Sequence, residues 1–269
     1  MRQIFPLRDD RPGPLLGPAD PLDGVGRIRP PAASPEIEQM ISALGEIYAY
    51  PDGVWLRANM VASADGAATV EGRSGDLSGT ADKLVFFLLR SLADVVLAGA
   101  STARAERYRQ AQPEDMWHQL RGGRPLPPIA VITRRLDLDL GSPLFAPDGP
   151  RTILLTTELA DPARRASAER VAEVIVAGSD AVTATAALRA LTERGFRRIL
   201  LEGGPSLLGQ FVEEGLLDEL CLTISPVLEG GRSARRITAD RAPGDGLTGL
   251  RLASVLEDGG ALLTRYVRA

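Results

Sequence analysis

Hydrophobic positions along this chain follow two periods. Short apolar runs that read as buried strands cover 55–62, 95–97, 129–133, 153–156, 174–176, 199–201 and 219–224. Between them lie stretches whose apolar residues recur every three or four positions, which predicts helices at 80–91, 184–194 and 206–214 and a weaker one at 162–170. Strands alternating with helices build a layered α/β domain around a central sheet. The last two runs, 250–257 and 261–267, meet across Asp258-Gly259-Gly260, a hairpin signal. A hairpin ends the sheet antiparallel, which disfavours a simple doubly wound parallel sheet.

Before residue 54 this pattern breaks down. Residues 7–35 are dense in proline, glycine and charge, as in Arg11-Pro12-Gly13-Pro14, and predict an extended arm. Ser34 then caps a helix with Pro35 at its first position and an apolar stripe of Ile37, Met40, Ile41, Leu44 and Ile47. That helix ends near Tyr50-Pro51-Asp52-Gly53. The expected division is an arm plus one helix over 1–52 and a main domain over 53–269.

Composition narrows the chemistry. At 269 residues and 44% hydrophobic, the chain can bury one large α/β core plus an appendage. A net charge of −4 gives no overall attraction for nucleic acid or anionic lipid, so neither partner is expected. No apolar run is long enough to span a membrane, and Met1-Arg2-Gln3-Ile4-Phe5-Pro6 lacks a signal-peptide core, which makes the cytoplasm the default location. The single cysteine, Cys221, sits in a strand pattern and reads as a small core residue. The single histidine, His118, lies in a stretch that reads as a loop. A His/Cys zinc site therefore lacks its ligands, a Ser-His-Asp triad is disfavoured, and no metal is expected.

Four segments put polar groups at strand ends. In Leu201-Glu202-Gly203-Gly204-Pro205-Ser206-Leu207, a carboxylate and two glycines separate a buried strand from an amphipathic helix. The glycines let backbone approach a ligand, and Pro205 and Ser206 open a helix whose unpaired N–H groups suit a pyrophosphate. A plain strand-to-helix turn would use the same residues. Arg57 to Gly66 is a strand running into a small-residue loop with one acid, Asp65, which could accept hydrogen bonds from ring nitrogens or lend a proton. It also fits a turn-forming Asp-Gly. Gly99-Ala100-Ser101-Thr102 follows a strand as a second phosphate cradle, without the glycine spacing of a Rossmann fingerprint or a P-loop. Arg134, after the strand at 129–133, could grip a 2′-phosphate and so select NADP over NAD, or be a surface arginine.

Ser63-Ala64-Asp65-Gly66, Ala93 through Thr102, Glu202-Gly203-Gly204-Pro205 and Gly215-Leu216-Leu217-Asp218-Glu219-Leu220 resemble, in this order, the motifs of the reductase domain of riboflavin biosynthesis, within the dihydrofolate-reductase-like superfamily. The resemblance runs from about Val54 to the C-terminus. It implies a three-layer α/β/α fold with a mixed, mainly parallel sheet, NADPH bound across the strand ends, and commonly a homodimer. The implied reaction reduces a phosphoribosylaminopyrimidine to its ribityl form, with 5-amino-6-(5-phosphoribosylamino)uracil as the leading substrate. By the same resemblance Thr102, Glu106, Thr133, Arg134, Gly203, Gly204, Pro205, Ser206 and Leu207, with the cradle at Gly99, Ala100 and Ser101, hold NADPH. Asn59, Ser63, Asp65 and Glu202 face the substrate, and Asp65 and Glu202 are the candidates to supply or relay a proton.

Two segments depart from the family pattern. Phe87-Leu88-Leu89-Arg90 keeps only the Leu and Arg of an H-x-L-R motif, and Glu106-Arg107-Tyr108-Arg109 replaces D-x-P-x-L-T. Longer relatives carry a zinc deaminase ahead of the reductase. The arm here has no His or Cys, so no deamination is expected. Alternatives are dihydrofolate reduction on the same fold, a catalytically silent NADPH-binding regulator, and a scaffold. The scaffold leaves the glycine turn and hydroxyl loop unexplained.

Overall fold

The structure, a computed structural model, describes residues 1–5, 35–113, 117–230, 236–238 and 247–269. Its elements run in chain order β1 (Arg2–Phe5), α1 (Pro35–Ile47), β2 (Trp55–Ser63), α2 (Thr80–Leu92), β3 (Val95–Gly99), α3 (Ala100–Ala105), α4 (His118–Arg121), β4 (Ile129–Ile132), β5 (Thr152–Thr156), α5 (Pro162–Ala168), β6 (Ala172–Val176), α6 (Ala184–Thr192), β7 (Arg198–Leu201), α7 (Pro205–Glu213), β8 (Glu219–Ser225), β9 (Leu250–Asp258) and β10 (Ala261–Arg268). The strands form one ten-stranded sheet in the order β1-β9-β10-β8-β2-β7-β3-β4-β5-β6. From β8 to β6 every pairing is parallel, whereas β10 pairs antiparallel with both β8 and β9. This is the mixed, mainly parallel sheet that the family resemblance implies, with the terminal hairpin expected from the hydrophobic pattern. Gly259 and Gly260 both have positive φ, 58° and 85°, the backbone that a tight hairpin turn requires.

Successive strand residues point to opposite faces, and each face has its own core. Val95 and Leu97 pack with Ala187 and Leu191 of α6 and Leu208 and Phe211 of α7. Val96 and Leu200 face the other way, toward Ile41 and Leu44 of α1 and Leu88 and Leu89 of α2. The sheet is therefore covered by helices on both sides, the α/β/α arrangement.

Residues 2–5 carry no strand signal in the sequence, yet they add an edge strand antiparallel to β9. Helix α1 forms over the expected range and buries Met40, Ile41 and Leu44 in the core it shares with the sheet. The boundary expected at residue 52 thus falls between segments that share one core. Apart from Pro35, the arm expected over 7–35 lies outside the described residues, as does the Ile37 side chain. His118, expected in a loop, opens the one-turn helix α4, which Gly122 closes at φ 54°.

Helix α4 fixes the end of α2. Arg121 Nη1 donates to the carbonyls of Ser91 and Ala93, both at 2.9 Å, and Arg124 Nη1 to that of Leu92 at 2.9 Å. Carbonyls at a helix C-terminus have no partner within the helix, so two guanidinium groups take that place. Arg57 and Glu219, both fully buried, make an ion pair at 2.8 Å between β2 and β8, and Arg265 of β10 reaches the same carboxylate at 2.6 Å.

Candidate functional site

A cavity of about 970 Å³ opens over the carboxyl ends of β3, β4 and β7, where open α/β sheets receive ligands. The tips of β3 and β7 are joined there: the Gly99 N–H donates to the Gly203 carbonyl at 3.0 Å, and the Glu202 N–H to the Leu97 carbonyl at 2.9 Å. That pairing sets the two glycine turns side by side. Gly99, Ala100, Ser101 and Thr102 line one wall, and Gly204, Pro205, Ser206 and Leu207, leading into α7, line the adjoining one. Gly203 lies behind them, buried, with φ 89°, a conformation only glycine adopts without strain. A Cβ on Gly204 would come 2.7 Å from Thr102 Oγ1. Backbone therefore approaches where a side chain would fill the space.

Thr133 and Arg134 line the cavity beyond β4. Thr133 is buried, and its hydroxyl accepts from the Leu136 N–H at 3.1 Å, so it shapes the turn that carries the exposed Arg134. Glu106, expected at the cofactor, also lines the cavity, but its carboxylate accepts from the Ser74 N–H at 2.8 Å and the Ser74 hydroxyl at 3.0 Å. It ties the loop before α2 across the rim.

Glu202 and Asn59, expected to face the substrate, also line the cavity. Arg90 donates to Glu202 through both Nε and Nη2 at 2.7 Å, and the Tyr108 hydroxyl donates to Oε2 at 2.7 Å. The Arg90 guanidinium is flanked by the rings of Phe86 and Tyr108 at 4.3 and 5.2 Å. Burial works against the Arg90 charge, but the pair with Glu202 outweighs it and raises its pKa. Burial and then the Glu202 charge push the Tyr108 phenol well above its ordinary value. A carboxylate accepting three such bonds holds its neighbours in place. The two segments that depart from the family pattern thus supply this cluster, Arg90 from one and Tyr108 from the other.

Asp65 and Ser63 are placed differently from the expectation, since neither lines the cavity. Asp65 is exposed and accepts from the Ser63 hydroxyl at 2.5 Å and from the N–H groups of Gly230 at 2.8 Å and Glu229 at 3.2 Å. The Ser63 bond first, then these backbone groups, hold its carboxyl down at about 2. A group that acidic is no proton donor at neutral pH. Its hydrogen bonds are those of the turn that Asp-Gly also allowed.

The acid that sequence reasoning missed is Asp82, in the first turn of α2. It is 6% exposed and lines the cavity, and the side chains of Ser78 and Thr223 hydrogen-bond to it. Burial raises its pKa against the pull of those hydroxyls and of Lys83. In sequence it looks like any acid favoured at a helix start. Lys83, Arg107, Arg134 and Arg135 also line the walls, while Arg104 is paired with Asp137 at 3.1 Å. Cations outnumber acids along the lining, so the cavity favours phosphorylated ligands although the chain carries a net −4.

Comparison with known proteins agrees with this geometry. Residues 54–264 match the RibD C-terminal domain. A 2,5-diamino-6-ribosylamino-4(3H)-pyrimidinone 5′-phosphate reductase of Aquifex aeolicus is 30% identical over 185 residues, 66% of this chain and 78% of the relative. One of the same description from Archaeoglobus fulgidus is 28% identical over 180 residues, 65% of this chain and 82% of the relative. The crystal structure of a pyrimidine reductase-like protein from Corynebacterium diphtheriae superposes with a TM-score of 0.73 at 29% identity, covering 80% of this chain and 92% of the other. With a matched segment that takes in β2 through the first half of β10 and every wall of the cavity, the chain belongs to the RibD C-terminal domain family, the pyrimidine reductases of riboflavin biosynthesis.

Proposed function

We propose that this chain is an NADPH-dependent reductase that converts a ribosylaminopyrimidine 5′-phosphate to its ribitylamino product. The observation that carries the reading is the pair of glycine turns at the tips of β3 and β7, where a Cβ on Gly204 would strike Thr102 and where α7 presents its N-terminus. A pyrophosphate fits such a backbone cradle, and Ser101 and Thr102 offer hydroxyls beside it. Arg134 and Arg135 sit where a 2′-phosphate would be met by charge. The cofactor held there would supply the hydride for reduction at C1′ of the ribosyl group, the released ring oxygen taking up a proton.

The chain's own residues orient the partners. Glu202, held by Arg90 and Tyr108, offers its remaining acceptor capacity to substrate hydroxyls. Lys83 and Arg107 suit the 5′-phosphate, and Asn59 the heterocycle. Positioning of this kind supplies most of the rate enhancement in hydride transfer. Zinc deaminases take a His and two Cys, or three Cys. This sequence has one of each, so these residues cannot assemble such a zinc site among themselves. The family resemblance supports a homodimer acting in the cytoplasm.

The test is to mix the purified chain with NADPH and 2,5-diamino-6-ribosylamino-4(3H)-pyrimidinone 5′-phosphate and follow loss of the dihydronicotinamide absorbance. One ribitylamino product per NADPH oxidised is expected, with NADH a poorer donor and Arg134→Ala narrowing that gap. Tight NADPH binding by calorimetry with no turnover of the pyrimidine would overturn the reading in favour of a silent binding protein.

A further inference from the structure

Under the function proposed above, on which this inference rests, a ribosyl group brings neighbouring 2′- and 3′-hydroxyls to Glu202. How many of them the carboxylate can receive depends on the acceptor positions it has left. An ionised carboxylate has about four, two on each oxygen. Arg90 Nε donates to Oε1 and Arg90 Nη2 to Oε2, each at 2.7 Å, and the Tyr108 hydroxyl also donates to Oε2 at 2.7 Å. Oε2 is then filled, and Oε1 keeps one position.

The carboxylate is not able to turn out of this arrangement. Its plane follows the two parallel bonds from Arg90, whose guanidinium is flanked by the rings of Phe86 at 4.3 Å and Tyr108 at 5.2 Å. Both partners of the ion pair are buried. Burial and then the Glu202 charge keep the Tyr108 phenol protonated, so its oxygen remains a donor at neutral pH. Position 108 is the proline of the family's D-x-P-x-L-T pattern, and a proline side chain has no proton to donate. The filling of Oε2 is therefore this chain's own departure.

We propose that Tyr108 is a positioning residue that makes Glu202 a single-acceptor group, receiving one sugar hydroxyl on Oε1 and so holding C1′ of the ribosyl group in one pose toward the hydride donor. With Oε2 open, the carboxylate would take both neighbouring hydroxyls, one on each oxygen. That chelate is a second way of binding the sugar, and it competes with the pose in which C1′ reacts.

Tyr108→Phe keeps the ring against Arg90 and removes only the hydroxyl. With 2,5-diamino-6-ribosylamino-4(3H)-pyrimidinone 5′-phosphate at saturating NADPH, kcat is expected to fall about three- to tenfold, the worth of one hydrogen bond. KM should stay level or drop, because the second hydroxyl gains an acceptor, whereas general loosening of the site would raise it. In a Glu202→Gln background the same substitution should cost no further kcat, since an amide has one oxygen and cannot chelate the two hydroxyls. NADPH binding by calorimetry checks that each variant folds. A raised KM in Tyr108→Phe overturns the proposal, as does an unchanged kcat or an equal loss in both backgrounds. Failure of the wild type to reduce the pyrimidine removes the reading beneath it, and the hydroxyl count is then decided without turnover. A crystal structure of the wild type with NADP⁺ and the ribitylamino product should show one sugar oxygen at Oε1 and none at Oε2. Two sugar oxygens spanning the carboxylate, or none at Glu202, sink the proposal, and the same structure decides it if the variants do not fold.

Discussion

Gly203 and Gly204 do different work in one turn. The first needs its positive φ of 89°, whereas the second has an ordinary backbone and needs the missing Cβ, because Thr102 Oγ1 stands 2.7 Å from where it would be. Gly204→Ala should cost about 1–3 kcal/mol of stability and weaken NADPH binding. In a Thr102→Ala background the stability loss should shrink, a coupling that a double-mutant cycle by denaturant unfolding would reveal. Asp65 gives a second prediction. Its folded carboxyl titrates at about 2, below the ordinary 3.8, so its contribution to stability is complete above about pH 4 and is lost as pH falls toward 2. Asp65→Asn should remove that part of the acid sensitivity in thermal melts while leaving the pH dependence of kcat near neutrality unchanged. A collapse of kcat in this variant would restore Asp65 as a proton donor. Both aspartates were visible in the sequence, but only Asp65 stood out, beside a glycine at a strand end. Asp82 is told apart from an ordinary helix-start acid by burial, which depends on what packs around it.

At the scale of elements, α2 carries Asp82, Lys83, Phe86 and Arg90 into the cavity, and its placement depends on α4. Burial, and then the neighbouring Arg124, push the Arg121 guanidinium down to about 10, yet it remains a cation at neutral pH and spans the last carbonyls of α2. Arg121→Ala should lose about 1–3 kcal/mol by leaving those carbonyls unpaired, measured by urea unfolding. Hydrogen exchange should rise first in the last turn of α2, and KM for the pyrimidine should increase more than kcat falls. The amphipathic period made α2 legible. A four-residue helix such as α4 is too short to show a period, and a four-residue edge strand such as β1 alternates too briefly to stand out. Each exists because a neighbour offers it hydrogen bonds.

Over the whole molecule, two charge arrangements run against the bulk composition. Arg57, Glu219 and Arg265 tie β2, β8 and β10 together through one buried carboxylate, whose pKa falls because the two arginines outweigh its burial. Glu219→Gln strands the buried Arg57 charge and should destabilise the fold by about 3–5 kcal/mol, read from the unfolding midpoint. Replacing Arg57 and Glu219 together by apolar residues of similar volume should recover part of that loss. The cavity is cationic although the chain carries a net −4, so attraction for an anionic ligand such as the proposed NADPH is local. Its Kd should rise severalfold from low salt to about 1 M, where the screening length is about 3 Å. A salt-independent Kd would remove the charged walls from the account of cofactor binding.

The order of the longer elements, the terminal hairpin and the two glycine turns were determined by the sequence alone, because hydrophobic period and turn chemistry act over a few residues. Which polar groups meet was decided by the tertiary structure. Glu202 finds Arg90 and Tyr108, 112 and 94 positions earlier, only because β7 enters the sheet between β2 and β3 and brings its tip under α2. Burial of Asp82 and exposure of Asp65 follow from the same sheet order, since desolvation and hydrogen-bond partners belong to the packed surroundings of a side chain and leave no mark in its local sequence.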